Sequence, residues 1–391
     1  MAIRSIFLTL FVSVSLLHLS CSDSPSSLGA DLLSQDLINI LELDSAKDSL
    51  FQSSSTYKKV IALSNADRLL LGKKDNVEAG ILLKFLIFFA DSIKQQIINN
   101  ELTVLSAKVE FTKNYTFGNS SAPIDYSVHQ INSSWSTGFT SDSLTLLSFD
   151  ANDISFGKTF TDTINTFNFD NQTALNWLKA RADSITPIDN GLYVKPSMSS
   201  EKIIGFQALS IDDLSIPSLE IVIQKAGVYI DTLSYFPSID LSVISGSLPD
   251  VGFENIGIQA GLNSEARLFF DLSSLPKGIV VNYAKLILTI DTIKTITGSS
   301  FTNSLRVNYL TDSTSLIIDS TFSLFLDRDS NTFEGSVTSF VQRTLIENNN
   351  QGLLLSASDK LNGVELFAIK GSNAAIFTER PKLQIIYTSK K

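Results

Sequence analysis

The chain is poor in the residues that most often carry chemistry. Its single cysteine, Cys21, leaves no partner for an intrachain disulfide. Its two histidines, His18 and His129, are too few for a histidine-rich zinc site and offer little to activate a serine. Lysine and arginine (30) are outnumbered by aspartate and glutamate (40), and a net charge of −10 gives no electrostatic attraction to nucleic acid. Charged residues make up only 18% of the chain, whereas 43% is hydrophobic, enough to build real cores. Long apolar runs are scarce beyond the N-terminus. The strongest, "ILLKFLIFF" (81–89), is short and broken by Lys84, so no membrane-spanning helix is expected there.

What is plentiful is serine, threonine, asparagine and phenylalanine, a mix that favours strands and loops, over a length of 391 residues that suggests two or three domains. At the start, Arg4, the apolar run Ile6 to Leu17 and the small residue before Cys21 describe an export signal over residues 1–20. A lone cysteine at that point resembles the lipidated cysteine of bacterial lipoproteins, with His18 standing where the usual motif has leucine. An ordinary export signal with an incidental cysteine is the competing reading. "SDSPSSLGADLLSQD" (22–36) resembles the opening of many Bacteroidota surface lipoproteins, and residues 21–55 are expected to be a flexible tether. The resemblance implies a lipid anchor at Cys21 and an outer-membrane location, with the protein exposed at the cell surface or, as the alternative, on the periplasmic face.

The remainder repeats itself. "IPSLEIVI" (216–223) returns as "RPKLQIIY" (380–387), and "PIDNGLYVKP" (187–196) returns as "NNNQGLLLSA" (348–357). Between them "TALNWLKARA" (173–182) lines up with "SVTSFVQRTL" (336–345), matching Ala174, Trp177 and Leu178 to Val337, Phe340 and Val341 at helical spacing. "GILLKF" (80–85) corresponds to "EARLFF" (265–270), and "LSAKVEF" (105–111) to "NYAKLIL" (282–288), with about eight more residues between the strands in the first copy. Two copies are therefore expected, at 56–225 and 226–391. Each is a run of alternating strands with one short helix, the pattern of a jelly-roll β-sandwich. The fold class expected is all-β, two tandem jelly-roll-like sandwiches.

The second copy carries "ARLFFDLSSLPKGIVVNYAKLIL" (266–288) and closes on "RPKLQIIY". Over most of residues 227–388 this order of pieces resembles the DNRLRE-type domain, which is related to the disaggregatase repeats and to carbohydrate-binding modules found beside polysaccharide lyases. The first copy lacks the aspartate after Phe85 and the Leu-Pro-x-Gly turn. The resemblance implies a jelly-roll sandwich and polysaccharide binding.

Candidate sites follow from residue chemistry. Sugar binding uses aromatic faces, and Trp135 in "NSSWSTGF", Tyr115, Tyr126 and, in the second copy, Tyr309 are the candidates; Trp135 as an anchor of the core is the alternative. Trp177, on the helical stripe, is expected in the core. Asp327, Asp329 and Asn331 alternate in "DRDSNTFE" (327–334) and, with Glu334, could converge oxygens on a structural calcium ion; a solvated loop before the helix competes with that reading. His129 sits on the polar side of a strand, and no carboxylate pair stands out. The function expected is a non-catalytic surface lipoprotein that binds polysaccharide. The alternative is a structural or adhesive envelope protein with protein partners.

Overall fold

The computed structural model describes residues 38–48, 50–63, 66–183, 190–210 and 215–390. Cys21, the expected export signal and the first part of the expected tether lie outside the described residues. The chain is all-β, folded as two β-sandwiches whose strand pairs are antiparallel.

Two strands come first, β1 (Ile38–Asp44) and β2 (Gln52–Lys58). The first sheet system runs β3 (Arg68–Lys74), β4 (Val77–Phe85), β5 (Leu102–Phe117), β6 (Tyr126–Gln130), β7 (Ser155–Phe160), β8 (Ile164–Phe169), β9 (Leu192–Pro196), β10 (Ile203–Gln207), β11 (Ser218–Lys225), β12 (Tyr229–Tyr235) and β13 (Pro237–Gly246). It holds two helices, α1 (Asp91–Ile98) and α2 (Asn171–Ala182). The second runs β14 (Asn255–Gln259), β15 (Ser264–Phe270), β16 (Val280–Thr289), β17 (Ser304–Asp312), β18 (Ile317–Ile318), β19 (Leu324–Asp329), β20 (Thr332–Ser336), β21 (Leu353–Ala357), β22 (Leu366–Lys370) and β23 (Lys382–Lys390). Its helix is α3 (Thr338–Glu347).

Alternation builds both cores. Ala107, Val109 and Phe111 of β5 point inward against Leu219, Ile221, Phe167 and Phe169. In the second sandwich Ala284, Leu286 and Leu288 of β16 meet Leu268, Leu383 and Ile385. Each of the valine, leucine, isoleucine and phenylalanine side chains among them, fully buried, contributes roughly 1.5–3 kcal/mol. The long β5 serves both layers of the first sandwich. Its residues 102–112 pair with β11 and β8, and 113–117 pair with β10. A further apolar cluster joins the halves, with Leu70, Tyr115 and Phe117 on one side and Leu262 and Val364 on the other.

The ladders fix the duplication residue by residue. Val109 faces Leu219 as Leu286 faces Leu383, and Leu83 faces Leu192 as Leu268 faces Leu353. The strand matches read from sequence thus occupy equivalent places. The helices match one turn away from the periodicity reading. Asp170 precedes α2, its carboxylate accepting from the Thr173 N–H at 2.8 Å, and Val337 precedes α3, so Trp177 corresponds to Thr344. A four-residue slip keeps the same helical face, which is why spacing alone could not fix it.

Three expectations are corrected. The extra residues between β4 and β5 form α1, so the described residues of the first half include two helices, with Ile97 buried beneath. The stretch expected as tether contains all of β1 and most of β2, which pair with β23 and β15. The boundary expected at 225/226 is crossed by β12 and β13, which pair with β11 and β4 of the first half.

Candidate functional site

Between β5, the β7–β8 turn and the start of β10 the first sandwich opens a polar cleft of about 380 Å³, lined chiefly by Lys113, Lys202, Asn165, Phe160, Thr161 and Asp162. Register places these groups. β8 reads "INTFNF", and its inward residues are Asn165, Phe167 and Phe169, so an amide occupies a core position beside two phenylalanines. Asn165 is only 2% exposed, and its Nδ2 donor meets no acceptor. A buried, unmade donor costs about 1–3 kcal/mol, so such a group calls for a partner. Phe160 sits opposite Asn165 on β7 with its ring 41% exposed, edge-on to Tyr126 at 5.6 Å.

The two lysines supply charge. Lys202 Nζ donates to the Ser120 carbonyl at 2.6 Å, and the Lys113 N–H holds the β7–β8 turn by donating to Thr163 O at 2.7 Å. Burial lowers the Lys202 pKa, the Lys113 ammonium lowers it further, and Asp162 opposes them. An anion entering the cleft would relieve that repulsion. The arrangement therefore offers two cations against one carboxylate, Asp162, with an amide donor, hydroxyls and an apolar ring, a net positive site whose chemistry suits an acidic sugar.

The second sandwich has closed the same place. Asn165 lies opposite Phe111, and its equivalent, opposite Leu288, is Phe333. Lys202 and Ile204 flank the β10 position equivalent to Leu366, which makes Glu365 and Phe367 their counterparts. The rings of Phe333 and Phe367 pack edge to face at 5.3 Å, with Phe301 against Phe367 at 6.3 Å.

The residues singled out from sequence lie elsewhere. Tyr115, Tyr126 and Tyr309 are 2%, 3% and 1% exposed, so none offers a ring face to a sugar, and those three expectations are corrected. Alternation put them on the inward side of their strands. Tyr115 instead bridges the halves, and Tyr309 donates to the Asn349 carbonyl at 2.8 Å under the Arg343 guanidinium. Trp135 is half-buried, its indole N–H donating to Asn190 O at 2.7 Å, and packs on the cluster of Leu63, Ile131 and Tyr193. Trp177 is buried against Phe169.

Asp327, Asp329, Asn331 and Glu334 lie on a β-hairpin. Asp329 pairs with Thr332 across a tight turn at Ser330, whose φ is +52°. Glu334 is taken by Lys285 at 2.8 Å. Among the described residues no group of three or more histidine, cysteine or acidic side chains is placed to hold a metal ion. His129 is buried in a wall rather than a cleft. Its Nδ1 donates to Asp150 O at 2.8 Å, Nε2 accepts from Ser127 Oγ at 2.7 Å, and Phe149 and Tyr193 cover the ring.

No family model matches the chain, and no curated protein matches it.

Sequence reasoning missed Asn165, Lys113, Lys202 and Phe160. A signal for the first was present: an asparagine in the inward phase of a strand, where the second copy has phenylalanine. The lysines come together only through the pairing of β5 with β10.

Proposed function

We propose that this protein is a non-catalytic, lipid-anchored protein of the cell envelope that binds polysaccharide, taking an acidic sugar residue into the cleft around Asn165. The observation that carries the reading is the buried, unpartnered Nδ2 of Asn165 beside Lys113 and Lys202. A carboxylate or sulfate between the ammonium groups, with a ring oxygen or hydroxyl on the amide and a sugar face on Phe160, would satisfy all of them. The resemblance of the second half to carbohydrate-binding sandwiches supports the ligand class, and the lone Cys21 behind an export signal supports the anchor. The net charge of −10 repels a polyanion at long range, but beyond about 8 Å that field is screened at physiological salt. Local charge in the cleft then decides.

Affinity electrophoresis of the full chain carrying Cys21→Ala, through gels containing a polyuronate, a sulfated polysaccharide or a neutral glucan, tests this. Retardation in an acidic gel, relieved by Asn165→Leu and by Lys202→Gln, is expected. Equal mobility in every gel would sink the proposal. The same Cys21→Ala change should move the protein from the membrane fraction to the soluble one.

A further inference from the structure

The duplication extends to the two strand pairs that precede each copy, and those pairs have changed places. β12 lies along β11 with Leu233 opposite Ile221, and β1 lies along the equivalent β23 with Leu43 opposite Ile385. β13 lies along β4 with Asp240 opposite Leu83, and β2 lies along the equivalent β15 with Ser54 opposite Leu268. Each pair is thus a two-stranded arm that clips one strand onto each layer of a sandwich. Residues 38–58 precede the first body in the chain yet complete the second; residues 229–246 precede the second yet complete the first. The arms pass each other where Lys58 Nζ donates to Gly246 O at 3.0 Å.

We propose that arm docking is exchangeable between molecules, so that the second sandwich takes residues 38–58 from a second copy of this chain. The surface is the outer edge of β23 together with that of β15, and the occupant is set by what those edges already hold. Leu43 fills the core, Ser45 Oγ accepts from the Leu383 N–H at 2.8 Å, and buried Asp44 meets Lys382 at 3.3 Å. An arm arriving from another copy makes these same contacts, so the linked form needs no new interface, the condition under which domain swapping costs little. The covalent connection over residues 59–67 favours closure within one chain at an effective concentration in the millimolar range, and crowding of chains competes with it.

Cysteine pairs read the connectivity in the full chain carrying Cys21→Ser. Glu42 and Ile386 face each other on exposed backbone of β1 and β23, and Thr232 and Val222 are their counterparts on β12 and β11. Glu42→Cys with Ile386→Cys should bridge within one molecule when refolded dilute. When Glu42→Cys chains and Ile386→Cys chains are refolded together, a bridged dimer should appear and grow with concentration, several-fold between micromolar and near-millimolar protein. Bridged dimer absent at every concentration, or a bridge between Glu42→Cys and Val222→Cys in the dilute monomer, overturns the proposal. Light scattering on Cys21→Ser protein refolded at high concentration gives a reading without introduced thiols. A species of twice the mass that survives dilution supports exchange, and monomer alone refutes it.

Discussion

Tyr115 of the first half donates its hydroxyl to Glu365 Oε1 of the second at 2.7 Å, and the tyrosine's own hydroxyl oxygen accepts from the Val364 N–H at 3.3 Å. The Arg68 guanidinium lies over the ring at 4.5 Å and donates to Asn362 O in the other half. Burial raises the pKa of both the phenol and the carboxyl. Tyr115→Phe keeps the ring but leaves a buried carboxyl and a main-chain N–H short of a partner. It should cost about 1–3 kcal/mol in urea unfolding. Unchanged stability would mean that this contact does not join the halves.

Gly298 makes room for that tyrosine. A Cβ there would sit 2.2 Å from the Tyr115 ring, which is pinned at its far end by Glu365. Gly298→Ala should destabilise the chain by roughly 1–3 kcal/mol through overpacking. Combined with Tyr115→Ala, the penalty should be clearly less than the sum of the two single changes, because the clash has gone.

Asp240 makes stability depend on pH. Burial pushes its carboxyl up to about 6, and the Leu209 N–H at 2.6 Å only partly offsets it. The native state therefore keeps a proton that the unfolded chain loses near pH 4. Its stabilising contribution is complete below about pH 4, declines as pH rises, and is gone above about 6. Melting temperature followed from pH 4 to 7.5 should show that decline, and Asp240→Asn should flatten it. An identical slope in the variant would refute the assignment.

Asn165→Leu should separate binding from folding. Replacing an unsatisfied amide by an apolar side chain in a core position should hold or raise stability, by up to about 1 kcal/mol, while abolishing retention in acidic gels. A loss of stability would show that the amide is satisfied in the free protein.

The fold was legible where neighbours on a strand decide it. "LSAKVEF" and "NYAKLIL" alternate cleanly, and the ladders confirm their match. The arms were not legible. "QSSSTYK" (52–58) has almost no apolar pattern because β2 is held by main-chain pairing along β15, whose partner residues lie some 200 positions away. A polar edge strand and a flexible tether look alike in composition. Aromatic candidates failed for a related reason: alternation tells which side of a strand Tyr126 or Tyr309 takes, but not that the side is sealed. "DRDSN" reads alike as a calcium loop or as a hairpin, because residues at alternate positions also share a face on a strand. Asn165 could have been found, since it breaks the apolar phase of its own strand.

The crossed arms also set how the molecule carries load. Tension between residue 38 and the cleft around Asn165 runs through β1, β2 and the connection to β3, straight into the first sandwich. The second sandwich is attached to that path by the ladders of β1 with β23 and of β2 with β15. Under pulling it would let go of the arm and pay out slack while the first sandwich stayed whole, a mechanical fuse on the N-terminal side of that sandwich.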